Sequence, residues 1–371
     1  MLQTLKNHLI NIPGWRTNRK IVVFESDDWG SIRMPNKKTY QRAQKKGLSV
    51  ETNPYCRYDT LADSDDLHKL FEVLQLFKDK NGNPPVITAN TVVANPDFNA
   101  INESQFEEYQ YEIFTDTLKH YYPQNEVFEI WQEGISEGIF FPQFHGREHV
   151  NVHHWLWALK NSHKKLINAF DLGFWGLPRN HYSQTIPINL QATYDAKKES
   201  EVNYHRVSLT EGLRVFKKVF GYNSKSFIPN NFIFDKNHLS ELLRRSNVSI
   251  LQGMKYHKQP YFNRNKHSMK RRYMGVYDGF FQVIRNVTFE PSQEKSKTGV
   301  VEKCINDIKN AYFWNKPAVV TCHRLNFIGS LDKKNREENL SLFKELLEKI
   351  LKEWPDVEFL NTVQLADIAE K

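Results

Sequence analysis

Short apolar runs rich in β-branched and aromatic residues alternate along this chain with longer segments of helical periodicity. That alternation calls for a largely parallel sheet with helices packed on it, an α/β fold. Residues 20–25 (KIVVFE) form the first run, and the polar stretch SDDWG at 26–30 ends it. Further runs follow at 86–93, 140–141, 226–229, 248–252, 280–284, 318–322 and 357–360. Between them, Leu67, Leu70, Phe71, Leu74 and Phe77 recur at helical spacing, with Asp63 or Ser64 as N-cap and Asn81-Gly82-Asn83-Pro84 as the stop. Helices are also predicted over 209–220 and 337–354. A single domain spanning 1–371 is expected, with the irregular stretch 171–203 as an insertion on one rim. The pattern leaves open whether the sheet is flat-edged or closed into a barrel.

Composition narrows the class. Of 371 residues 40% are hydrophobic, enough for a large core, yet mean hydropathy is −0.63. No apolar run approaches the roughly 18 residues of a membrane-spanning helix. The first twenty residues lack a continuous apolar core followed by a small-residue cleavage site, so a cytoplasmic protein is expected. Cys56, Cys304 and Cys322 are widely spaced and odd in number, which fits neither a disulfide framework nor a zinc knuckle. The net charge of +8 comes from scattered lysines and reads as a solvated exterior; no nucleic-acid partner is expected. The densest basic stretch, 266–272, reads as an exposed loop.

Three elements carry chemistry. Asp27 and Asp28 fall at the carboxyl end of the first strand, the edge where open α/β sheets and barrels bind ligands. Adjacent carboxylates there can divide their labour, one ligating a metal and the other acting as base, although such a pair also caps turns. His145 and His149, in HGREH, would share one face of a helix and bind one ion together. Alone, that spacing arises easily by chance; a carboxylate on an earlier strand makes a three-ligand metal site of Asp28, His145 and His149, with positions left for water and substrate. His323 ends a late apolar strand (VVTCH) on the same expected rim and reads as a general acid.

In this order, SDDWG, HGREH and the strand ending in His323 resemble the polysaccharide deacetylase (NodB-homology, carbohydrate esterase) family, in its divergent polysaccharide (de)acetylase branch. The resemblance is scattered over about residues 20–365 and includes the closing VEFLNTVQLADI. It implies a distorted (β/α) barrel of about seven or eight strands and removal of N- or O-acetyl groups from carbohydrates. It also implies one divalent ion, Zn2+ before Co2+, Ni2+ or Mn2+, held by Asp28, His145 and His149, with Asp27 as base and His323 as acid. The substrate side falls to Trp29, Pro229, Asn230, Glu290 and Arg324. The expected substrate is a surface-polysaccharide or glycolipid precursor, with peripheral contact to a lipid-linked glycan.

The motifs depart from the family pattern at named places. Glu25-Ser26 stand where Thr-Phe is usual, Trp29 intervenes before Gly30, and Gly146 replaces Ser or Thr. The groove stretch Phe227-Ile228-Pro229-Asn230 lacks the arginine that orients the base, a role open to Glu290, Arg285 or Arg324. Three other readings compete. His145 to His149 also spells HxxEH, a metallopeptidase pattern with Glu148 as base. Asp27-Asp28 could serve a glycosyltransferase, which leaves the histidine pair unused. A catalytically silent carbohydrate-binding protein on the same scaffold is the third.

Overall fold

The computed structural model describes residues 8–124, 126–262 and 267–369. Its centre is a ten-stranded sheet: β1 (Ile21–Trp29), β2 (Ile87–Val92), β3 (Phe140–Gly146), β4 (Ser226–Phe227), β5 (Ile250–Gly253), β6 (Gly275–Tyr277), β7 (Phe280–Ile284), β8 (Val287–Thr288), β9 (Ala318–His323) and β10 (Glu358–Phe359). The order is β6-β7-β5-β4-β3-β2-β1-β9-β8, with β10 also paired to β1. Every pairing is parallel except β6 with β7.

Seven or eight strands were expected, and the sheet has ten. The two unanticipated strands, β6 and β8, are only three and two residues long, too short to show a period. The ladder is also not a simple closed ring. Instead one segment serves both ends of the sheet: β7 pairs with β5, the Arg285 amide donates to the Gly253 carbonyl, and the Asn286 amide donates to the Val319 carbonyl before β8 pairs with β9.

The helices relevant to the site are α1 (Ser64–Gln75), α2 (Val127–Ser136), α3 (Val152–Lys160), α4 (Val202–Phe220), α5 (Lys236–Arg245), α6 (Val300–Phe313), α7 (Lys333–Glu353) and α8 (Thr362–Ala369). Asp63 caps α1 reciprocally with Asp66, and Gly221, at φ 79°, ends α4. Helix α1 stops at Gln75, short of the Asn81-Gly82 turn expected to end it. Among the described residues no helix is long and apolar enough to cross a membrane.

Strand alternation positions the chemistry. Along β1, Val22 and Phe24 pack into the layer formed with α1, α6 and α7. Ile21 and Val23 face the opposite way, with Val283, Val319 and Leu365 of α8. Two and four residues on, Glu25 and Asp27 occupy that same face. One face of the sheet is therefore apolar at its amino end and charged at its carboxyl end.

Candidate metal centre and catalytic cleft

Regular alternation would send Asp28 away from Asp27. A register shift between Ser26 and Trp29, with φ 75° at Asp28, breaks it. A left-handed backbone at a residue other than glycine is strained, and such strain concentrates at functional sites. As a result Asp28 Oδ1 lies 3.4 Å from His145 Nε2 and 3.1 Å from His149 Nε2, while Asp27 Oδ2 lies 3.8 Å from His323 Nε2. Asp28, His145 and His149 are buried, and together they present one ligand atom each to a common point.

The histidine pair is not helical. His145 belongs to the end of β3, and His149 sits in the bend before α3. The chain turns at Gly146, where φ is 129° and a Cβ would meet the Glu148 carbonyl at 3.0 Å. That crowding accounts for glycine at position 146. His145 Nδ1 lies 2.8 Å from the Ile228 carbonyl and donates to it, which leaves Nε2 free as a ligand. The His149 ring stacks on Trp175 at 5.6 Å. Burial, aided by the Arg33 charge, brings the His149 pKa down to about 4, so the imidazole is neutral at pH 7.

This donor set fits a divalent ion. Ligand separations of 3.1 and 3.4 Å match the edge of a tetrahedron with bonds of about 2.0–2.1 Å. Arg33 Nη2 donates to Asp28 Oδ2 at 2.9 Å, which keeps the other oxygen turned to the histidines. Burial alone would raise the Asp28 pKa, but the Arg33 charge and both histidines hold it well below the usual range.

Beside this Asp-His-His group sit Asp27 and His323. Arg285 holds Asp27 through Nη1 to Oδ2 and Nη2 to Oδ1, both at 2.6 Å, and Glu25 through Nε, also at 2.6 Å. Asn90 adds a hydrogen bond to Asp27 Oδ1 at 2.8 Å. Burial opposes ionisation of Asp27, yet Arg285 outweighs it and brings the pKa down to about 2. Across the cleft, His323 Nδ1 lies 2.5 Å from Glu290 Oε1, and Asn326 donates to Glu290 Oε2 at 2.9 Å. Burial works against the imidazolium here, but Glu290 prevails and raises the pKa to about 9. The His323 side chain stays 20% exposed, more than any of the three ligands.

The expected substrate-binding set divides. Glu290 contacts His323, and Asn230 is fully buried with Nδ2 3.3 Å from His145 Nε2 and Oδ1 unbonded among the described residues. Pro229, next to it, is buried. Trp29 is a correction: it is 1% exposed, packs edge-on to Trp131 and Phe140, and donates to Ser26 Oγ, so it cannot meet a sugar. Arg324 is another: it is 0% exposed and spends its fork on Asp59 Oδ1. Arg285, not Arg324, is the guanidinium that holds Asp27. Glu148 is buried against Arg147 and Ser208, which removes it as the base of an HxxEH peptidase.

Sequence reasoning missed Arg33, Tyr55 and Trp175. The Arg33 guanidinium lies between the Tyr55 and Trp175 rings, at 5.1 and 4.9 Å, and the half-buried Tyr55 ring meets His323 edge-on at 5.3 Å. Trp175 falls in 171–203, a stretch with no readable period.

Comparison with known proteins supports the fold and no more. A candidate glycoside hydrolase/deacetylase from Parabacteroides distasonis superposes with a TM-score of 0.50 at 6% identity, covering 96% of this chain and 72% of its own. The chain shares the α/β fold of that structure, with a mostly parallel central sheet. Candidate polysaccharide deacetylases from Mycobacterium smegmatis (TM-score 0.46, 12% identity, 96% and 93% covered) and Pseudomonas aeruginosa PAO1 (0.45, 9%, 94% and 91%) are also similar. No protein-family model matches the chain, and no curated protein matches its sequence.

Proposed function

We propose that this chain is a metal-dependent hydrolase that removes an N- or O-linked acetyl group from a carbohydrate, as a divergent member of the polysaccharide deacetylase family. The observation that carries the proposal is the adjacency of the Asp28–His145–His149 ligand set to an arginine-held Asp27 and a glutamate-paired His323.

Asp27 stays ionised at neutral pH and takes the proton of the attacking water. Arg285 and Asn90 fix its two oxygens, so its direction is set before substrate arrives. A carboxylate with so low a pKa is a weak base. A bound divalent ion supplies Lewis-acid polarisation of the acyl oxygen and acidifies water, which offsets that weakness. His323, protonated at neutral pH, gives its Nε2 proton to the departing amine or alkoxide. Glu290 at Nδ1 fixes the ring and compensates its charge. The Asn230 amide, beside His145, is placed to contact the acyl group. The substrate we favour is a cytoplasmic precursor of a surface polysaccharide or glycolipid.

Acetate release from a panel of N-acetylated, O-acetylated and lipid-linked glycans, after loading with Zn2+, Co2+, Ni2+ or Mn2+, tests this reading. Release that depends on metal and disappears in Asp27→Asn supports it. A metal-loaded chain that binds glycans yet releases no acetate would instead make it a silent member of the fold.

A further inference from the structure

A second concentration of charge lies on the other side of β5 from the cleft. Arg272 is buried, yet it meets no carboxylate among the described residues. Its Nε donates to Gln282 Oε1 at 2.7 Å, Nη1 to the Gln252 carbonyl at 3.1 Å and Nη2 to the Leu251 carbonyl at 2.7 Å. All three acceptors are neutral, and an arginine has five N–H donors. A buried guanidinium with no carboxylate in contact is costly to keep, and burial outweighs the longer-range help that Arg272 receives from Glu25.

Arg272 lines a cavity of about 260 Å3 with Lys236, His257, Lys270, Arg271 and Tyr277. The cavity is roofed by the two-stranded ribbon formed by Tyr256–Pro260 and His267–Arg271. Lys236 pairs with Asp278 and lies 5.0 Å over the Tyr277 ring. Asp278 is the one carboxylate ion-paired to these four cations among the described residues, and Arg271 turns its guanidinium to the Leu9 carbonyl and the Tyr273 ring, so Lys270 and Arg272 leave a surplus of about two positive charges in the concavity. Burial, followed by the charges of Lys270, Arg272 and Arg244, lowers the Lys236 pKa to about 8.

We infer that this cavity binds the phosphate group of a small phosphorylated sugar, at a site separate from the metal-centred cleft. A dianion matches the surplus charge better than a carboxylate does, and lysine and arginine together suit its oxygens. The volume lies just under the roughly 300 Å3 at which pockets for drug-sized ligands begin, so a sugar phosphate fits and a polymer does not. Separation from the cleft follows from strand geometry. Arg272 binds the Leu251 and Gln252 carbonyls from outside the sheet, whereas the Gln252 side chain points inward to Asn90 and, through it, to Asp27.

Calorimetric titration of the full chain, stripped of metal, with inorganic phosphate, glucose and glucose 1-phosphate tests the inference. Glucose 1-phosphate should bind saturably and more tightly than phosphate, with glucose silent. Lys270→Ala and Lys236→Ala should each weaken it by roughly tenfold or more, the worth of a hydrogen bond to a charged group. His149→Ala should leave it unchanged, which separates this site from the cleft. Two lysine variants carry the test because Arg272→Met would remove a buried guanidinium that makes three hydrogen bonds. No saturable binding, equal binding in the lysine variants, or loss in His149→Ala would each overturn the inference. Phosphate binding as tightly as the sugar phosphate would overturn the assignment to a phosphorylated sugar.

Discussion

Arg285 grips both oxygens of Asp27 at 2.6 Å, from a position 258 residues further along the chain. The same guanidinium binds Glu25, so one buried cation holds two buried carboxylates. Arg285→Ala strands both and should cost about 3–5 kcal/mol of stability. Arg285→Lys keeps the charge but loses the fork, so it should fold, retain metal and lose most acetate release. Urea unfolding paired with the acetate assay reads both effects; full turnover in the lysine variant would remove the orienting role.

The Glu290–His323 contact sets an alkaline limit. His323 has its pKa raised to about 9, so its proton is present below that pH and lost as pH rises through it. The kcat/KM profile should therefore hold through neutral pH and fall above about 9. Glu290→Gln removes the stabilising charge and should move that limb down toward the ordinary histidine value near 6.5. A limb that does not move would argue against His323 as the acid.

Glu148 separates the two hydrolase classes. Buried against Arg147 and Ser208, it is a structural carboxylate here. Glu148→Gln should lower the unfolding midpoint and leave acetate release per folded molecule within severalfold. A peptidase activity abolished by this substitution would revive the HxxEH reading.

Gly146 should not tolerate a side chain. With φ at 129° and the Glu148 carbonyl 3.0 Å from any Cβ, Gly146→Ser should cost about 1–3 kcal/mol. Because residues 145 and 149 flank the turn, metal affinity should fall with it. Unfolding and metal titration of the variant give the two numbers; an unchanged affinity would mean that the turn does not set the ligand geometry.

Much of this was legible in the sequence because strands announce themselves by composition and their carboxyl ends collect ligands. Asp27, Asp28 and His323 fall where such ends were expected, and Asp63 caps α1 as read. The four-residue spacing of His145 and His149 suits a helix face and a turn after a strand alike, and the structure has the turn. Trp29 looked like a sugar platform because nothing nearby in sequence reveals Trp131 and Phe140 closing over it. Arg285 and Arg324 were equal candidates until their partners, Asp27 and Asp59, told them apart. Contacts between residues hundreds of positions apart leave no local pattern to read.

Metal content after equilibrium dialysis decides whether Asp28, His145 and His149 hold one divalent ion. About one ion per chain is expected in the natural protein and in His323→Ala, and almost none in His149→Ala. No bound ion in the natural protein, or undiminished content in His149→Ala, would contradict it.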